Sequence, residues 1–511
     1  MAGTDVFSSN TAFPGGGGGG GGGLTNWTEA GNTTAPNATV AANSFTATGA
    51  FANIDAIVSA KGTGATLAQV PDSLTTGGNK RGDYATDFQK LRAANTQVAS
   101  GQYTFLGGGQ DNTVSANWAT IIGGRQNTAS GLYSSIAGGY LGQAAGQYSF
   151  VGSGDSSFAN ANYSFVGSGF NNQITAGATG AGIAAGIYHK ITAAGLYSFI
   201  GGGGNNTLPS RNDISAASCF IGGGHTNTVS NSFSTIGGGR SNTVGSQDGT
   251  IAGGNGNICN GGYGAIGGGW TNSAGSNYAA VAGGVSNSAS GQQTFIGGGS
   301  TNSASSATSL ICGGQGNTIS NNNQNSSILG GTENAISKTG GTATYSAIIG
   351  GYRANVNYYG EIAHASGQFG AKGDAQTSEL VSRRSITVGA AATDLTFDGG
   401  APTTSNTIEL ANNQAYQFSI KVIAKEDTAG STQCAWWTIE GGICRGAAAI
   451  NTALVGANVV NTGNAGGNSA GWTCVAQANT TNGSLQILVS APAGTGAVRF
   501  VATTRLTRVA S

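Results

Sequence analysis

The chain has 511 residues, of which 93 are Gly and only 8% are charged, and its formal net charge is zero. With six prolines and no Gly-X-Y period it is not collagen, and it has too little charge for a disordered polyelectrolyte. It also lacks the basic block that binding to nucleic-acid phosphates requires.

The opening stretch "MAGTDVFSSNTAF" has neither a basic region nor an apolar core, so no secretory signal is expected there. No apolar run approaches the ~18 residues of a membrane helix, so no membrane insertion is expected. Residues 15–23 are nine consecutive glycines. Such a run reads as a flexible linker or, more rarely, as packed polyglycine strands. Residues 1–24 therefore form a first segment. Residues 25–100 read as a β-rich lead-in, with short β segments such as "ATVAANSFTATGAF" and a brief helix at "YATDFQKLRAAN".

From residue 101 to 358 one phrase recurs: "TFLGGG", "SFIGGG", "CFIGGG", "TFIGGG". Its branched apolar residue marks sixteen anchors, from Leu106, Ile121 and Ile136 to Ile328 and Ile348, mostly 15 residues apart. A fixed period of this kind signals stacked repeats. Eight residues after every anchor stands a second apolar residue, among them Val114, Ala129, Leu208 and Val356. Twelve of the sixteen coils carry Asn six after the anchor, suited to ladders and backbone bonds at a turn. Fifteen residues at ~3.3 Å give a perimeter of about 50 Å, enough for two strands of about five residues and two tight turns. Gly and β-branched residues at this density oppose helix. The expected fold is an all-β parallel β-roll or β-solenoid. Sixteen coils at ~4.8 Å would make a rod of roughly 75 Å. Extra residues, as in "TLPSRNDISAASC" and "SKTGGTATYS", are expected to lengthen only the return segment and to decorate one edge. The residue before the anchor is Phe at 105, 150, 165, 199, 220 and 295, and Leu310. This outward stripe favours several chains packed side by side.

Residues 359–380 read as a neck. Residues 381–511 alternate apolar and polar residues in "AYQFSIKVIAKE", "CAWWTIEGGICRG", "SLQILVSA" and "AVRFVATTRL", which points to an antiparallel β-sandwich knob. Such a knob also caps the open end of the solenoid.

The segment "GGNKRGDYATDFQKLRAANTQVASGQYTFLGGG" (77–109), followed by "NTVS", "NTAS" and "NSASG" coils, resembles phage tail-fibre proteins. The coil region is similar to the head repeats of trimeric autotransporter adhesins. "AIVSAKGTGATLAQVPD" (56–72), "HASGQFGAKGDAQTSELVSRRS" (364–385) and "GGAPTTSNTIELANNQAYQFSIKVIAKE" (399–426) look like the segments that flank the repeat in the phage proteins. The resemblance spans roughly 50–511. It implies a left-handed trimeric β-roll and a virion protein outside the particle, assembled in the host cytoplasm. It further implies that residues 1–24 attach to a tail, baseplate or capsid protein. Autotransporter adhesins need a secretion signal and a membrane barrel, and neither is expected here.

Catalytic chemistry finds little support in the sequence. Polysaccharide hydrolysis needs two carboxylates about 5–9.5 Å apart. The coils hold only Asp111, Asp155, Asp213, Asp248 and Glu333, none in adjacent coils at matching register. The expectation is a chain with no enzymatic activity. His189, His225 and His364 are scattered, and the six cysteines lack C-x-x-C spacing, so neither metal nor cofactor is expected. The thiols read as reduced and mostly buried, a Cys434–Cys444 bridge being left open. "RGD" at Arg81–Asp83 reads as a coincidence. Candidate host-surface contacts are exposed aromatics: Tyr140, Trp270 and Tyr352 at the turn position four after the anchor, and Trp436 and Trp437 on one strand of the knob. The expected role is a fibre that spaces and recognises, contacting a host glycan or protein. A capsid-attached fibre or decoration protein and a bacterial surface adhesin are the alternatives. Ice binding is disfavoured because no strand carries an unbroken Thr row.

Overall fold

The computed structural model describes residues 27–32, 42–47, 62–204, 211–338, 343–492 and 496–510. The polyglycine run and the expected attachment segment 1–24 lie outside them. Two compact units divide the chain at Thr66/Leu67. In the first, Trp27–Asn32 pairs antiparallel with Ala42–Ala47.

The second unit is all-β. It is built from a β-solenoid and a C-terminal antiparallel region. Each coil places two apolar side chains inward. Leu106 and Val114, Ile121 and Ala129, and Ile251 and Cys259 are fully buried, as are their equivalents in the other coils. Successive anchors pair in parallel, Phe105–Leu106 with Thr120–Ile121 and onward. The second positions form a sixteen-stranded parallel sheet from Thr113–Val114 to Asn355–Val356. The coil strands are two residues long, not the five expected, except the last anchor strand, Ala347–Gly351. A third, single-residue ladder (Gln110↔Arg125↔Tyr140) adds a corner, and each coil spends its remaining residues on bends.

One of these bends explains the recurring glycines. The residue three after every anchor is Gly with positive φ, for example Gly254 at 94°. A Cβ there would lie 2.2 Å from the carbonyl oxygen of Gly269 in the next coil. No side chain fits between coils stacked this closely. Gly253 beside it has open space instead.

The Asn six after the anchor closes the same corner from inside. Asn257 Nδ2 donates to the carbonyls of Gly253 (3.0 Å) and Gly269 (3.1 Å), and its Oδ1 accepts the Asn272 N–H at 2.9 Å. The amide thus satisfies the Gly253 carbonyl and the Asn272 N–H and adds a second bond to the Gly269 carbonyl, which already accepts the Asn255 N–H at 2.9 Å. His189 takes the same place in its coil. Its N–H donates to Asn172 Oδ1 (3.1 Å), and its Nδ1 accepts the Asn212 N–H (3.2 Å).

The insertions do not all fall on one edge. In the coil anchored by Ile200 the inward partner is Ile214, paired in register with Ile191 and Val229. Leu208, expected there, lies outside the described residues. The extra residues therefore fall between anchor and second position and not in the return segment. "NTL" and "NDI" both satisfy the Asn-x-apolar pattern, and the chain uses the later one.

Parallel pairing also begins before residue 101. Thr86–Asp87 pairs with Phe105–Leu106, so the helix expected around residues 84–95 is replaced by a rung of the solenoid. In that rung the inward position holds Asp87, which is fully buried. Arg81 (2.7 Å) and Arg92 (3.4 Å) neutralise it. Gln89 Oε1 accepts the Asn112 N–H at 2.8 Å and so starts the amide ladder. A polar plug ends the apolar interior, as terminal repeats require. Arg81 of the "RGD" triplet is consumed by this plug.

At the other end Ile362–Ala365 pairs parallel with Ala347–Gly351 and antiparallel with Ala375–Ile386. From there the sheet continues antiparallel through Val498–Ala510, Gln414–Glu426, Cys434–Arg445 and Thr452–Asn464. A second sheet of Thr473–Asn479, Ser484–Ser490 and two short strands covers it. Phe418, Ile420, Trp437, Ile439 and Phe500 of the first sheet and Trp472, Leu485, Ile487 and Val489 beside the second belong to one core. Cys434 and Cys444 stand near opposite ends of one extended strand, too far apart to bridge, and all six cysteines are free.

Candidate functional site

Tyr140, Trp270 and Tyr352 lie on one corner of the solenoid and are 37%, 57% and 40% exposed. They do not converge. Eight coils separate Tyr140 from Trp270 and five separate Trp270 from Tyr352, about 40 and 25 Å at ~4.8 Å per coil. Tyr140 lies beneath the Arg125 guanidinium (5.6 Å), and Tyr352 beneath Arg353 (4.9 Å), which also bonds Glu333 at 2.7 Å.

A larger aromatic array stands three residues before the anchors. Tyr84, Tyr103, Trp118, Tyr133, Tyr148 and Tyr163 stack with ring centroids 4.8–5.6 Å apart. All six hold positive φ and are exposed. The sequence carries the array as "QYTFL", "NWATI", "LYSSI" and "QYSFV", with an aromatic residue three before the anchor. The rings spend their faces on each other, which offsets left-handed backbone strain and leaves mainly edges for a ligand.

The outer face of the anchor sheet carries large apolar side chains along its length, interrupted by Thr120, Ser135, Thr235, Thr250 and Ser327. Phe105, Ile122, Phe165, Phe199, Phe220, Phe295, Leu329 and Ile349 are 38–59% exposed. None of the 32 residues flanking the sixteen anchors is charged.

In the C-terminal sheet the two tryptophans separate. Trp437 is 4% exposed and packs on Phe500 with centroids 6.0 Å apart, so it is a core residue and not a surface contact. Its neighbour on the alternating strand, Trp436, is 46% exposed. The cross-strand partner of Trp436 is Gly463. A Cβ on that glycine would meet indole Nε1 at 2.4 Å, Cε2 at 2.8 Å and Cζ2 at 3.1 Å. The indole therefore lies down over bare backbone, with its other face outward.

The solenoid acids are held separately. Asp111 Oδ1 accepts the Ala93 N–H (2.6 Å), Asp155 bonds Ser156 (2.6 Å), Asp213 pairs with Arg211 (2.9 Å) and Glu333 with Arg353 (2.7 Å).

The fold defines a β-solenoid closed by an antiparallel β-sandwich. No protein-family model and no curated protein sequence matches the chain. Among solved structures it is similar to tailspike protein gp49 of Acinetobacter baumannii bacteriophage Fri1, a capsular polysaccharide depolymerase. That likeness has 8% identity and a TM-score of 0.20, over 84% of this chain and 71% of that one. The tailspike of Acinetobacter phage vB_ApiP_P1 gives 9% and 0.20 (85% and 81% covered), and that of Acinetobacter baumannii phage AM24 gives 9% and 0.19 (88% and 79%). The expectation of a chain without enzymatic activity is overturned by the first of these, which is an enzyme, and it is withdrawn.

Proposed function

We propose that the chain is a tail fibre or tail spike of a bacteriophage. In this reading the N-terminal segment attaches to the particle, the solenoid is the shaft, and exposed side chains of the shaft and C-terminal region contact the host surface. The observation that carries the reading is the outer face of the anchor sheet, uncharged through sixteen coils and studded with exposed phenylalanines. A lone chain would leave this face in water, which soluble monomers avoid. Several copies packed on it, three in our reading, make a stiff multi-chain shaft. The sandwich covers one end of the solenoid against further strand pairing. The shaft resembles phage fibre repeats in its coil phrases and flanking segments.

The test is adsorption. Fluorescently labelled intact chain is mixed with a panel of bacterial isolates. Binding to some isolates, together with protection of those cells from phage infection, is the expected result. A chain that adsorbs to none of them contradicts the reading.

A further inference from the structure

We propose that the outward face of the C-terminal sheet around Trp436 is a binding site for an acidic polysaccharide. The proposal rests on the host-surface reading above and names the ligand class.

The strand register builds the site. Trp436 faces Ile423 on the adjacent strand, and the residues on either side of Ile423 on the same face are Lys421 and Lys425. Both lysines are exposed, and each stands diagonally from Trp436, a separation of about 7–8 Å between Cα atoms. One strand further, Val501 lies opposite Ile423, and Arg499 opposite Lys425. Beyond that strand Arg383 lies opposite Val501. An apolar row of Trp436, Ile423 and Val501, 41–54% exposed, is thus bordered by cations.

The acids on or beside this face are Glu379, Asp398, Asp427 and Glu440. Asp427 is paired with Arg499 at 2.5 Å. Asp398 Oδ1 accepts from the Gly400 N–H and the Asn406 amide. Glu440 accepts from Ser419 and stands four residues along the strand from Trp436, about 13 Å away. Glu379 lies opposite Arg505. Among the described residues neither Lys421 nor Lys425 has an ion-pair partner.

The chemistry follows from this layout. An indole lying on bare glycine backbone offers one open π-face, which stacks on the C–H face of a sugar ring while the hydroxyls stay in water. Ammonium groups to either side reach carboxylates on the same or neighbouring sugars through charge-assisted bonds. The solenoid's aromatic ladder lacks this geometry, because its ring faces are already stacked. A second copy of the chain is the disfavoured occupant. Lys is depleted from interface cores, and two copies of this face would oppose like charges. The solenoid's outer face, with no charge at all, is the one suited to self-packing.

The intact chain is tested against immobilised polygalacturonate, polysialate and hyaluronate. Fully methyl-esterified polygalacturonate and dextran are the uncharged comparisons. Binding to at least one polyanion is expected, at least tenfold tighter than to either uncharged polymer, and weakened in 1 M salt. Trp436→Ala and the double variant Lys421→Ala/Lys425→Ala should each lose tenfold or more. Gly463→Val, which displaces the indole without removing it, should lose a similar factor. Val475→Ala, exposed on the second sheet and not on this face, should bind as the parent does. Binding to none of the polyanions, equal binding to the methyl ester, or an unaffected Trp436→Ala variant overturns the proposal. So does a change in the sedimenting mass of Trp436→Ala, which would make the face a contact between copies. Adsorption to bacteria separates the two readings. If both variants adsorb like the parent, the site is wrong and the host-surface reading stands. If the parent adsorbs to no isolate, that reading itself fails.

Discussion

In the coil anchored by Ile251, Gly254 carries the turn and Gly253 does not. Gly254 needs φ of 94° and has the next coil's carbonyl 2.2 Å from where a Cβ would be, while Gly253 faces open space. Gly254→Ala should destabilise by about 1–3 kcal/mol, whereas Gly253→Ala should leave the melting temperature within error. Equal effects in thermal melts would refute the assignment. His189 gives a pH dependence. Burial holds its imidazole below the usual histidine range, because charge is disfavoured inside the coil. In the unfolded chain it titrates near its ordinary value of 6.5. The unfolded state therefore binds the proton first as pH falls, and stability is lost from about pH 6.5 downward. Protonating Nδ1 would also remove the acceptor for the Asn212 N–H. His189→Asn restores the ladder residue used by the other coils. Its melting temperature should fall less between pH 7 and pH 5 than the parent's. Parallel curves for the two proteins would exclude His189 as the source.

At the scale of elements, the amide ladder is cooperative in construction. Each Asn satisfies two carbonyls and one N–H contributed by adjacent turns. Asn257→Ala removes the partner of the Gly253 carbonyl and of the Asn272 N–H, the Gly269 carbonyl keeping the Asn255 N–H, and should cost about 1–3 kcal/mol, measured by denaturant unfolding. The joint between solenoid and sandwich is another such network. Glu361 is fully buried and accepts from Arg508 (2.9 Å), the Asn357 N–H (2.8 Å) and the Tyr358 N–H (3.0 Å). Arg508 lies between the rings of Tyr358 and Tyr416, 5.6 and 5.3 Å from their centroids. Glu361→Gln would strand a buried guanidinium and should cost about 3–5 kcal/mol. The coils themselves were legible in the sequence, because a 15-residue period with two inward positions has few other solutions. The short strands were not, since bends at ordinary residues such as Tyr103 and Asp111 carry no glycine to announce them. The insertion after Ile200 was misplaced because two segments fit one pattern. Trp436 was legible as a candidate but its partner was not. Only the strand register reveals that Gly463 lies beneath it and that Lys421 and Lys425 flank it.

At the scale of the whole molecule, the account requires the anchor face to be covered. Cys312 sits on that face, one residue after an anchor, and is exposed in the single chain. In the native protein it should resist alkylation until the chains separate. Burial pushes the Cys474 thiol up to about 12, so it should stay unreactive until the sandwich unfolds. Rapid labelling of Cys312 at native pH would show an open face. The most direct measurement is the solution mass of the intact chain by sedimentation velocity, compared with a Phe199→Glu/Phe220→Glu variant. Three 50.0 kDa chains should sediment together at about 150 kDa, and the variant should dissociate. A parent that runs as a single chain, with its phenylalanine face in water, would contradict the account of a multi-chain shaft.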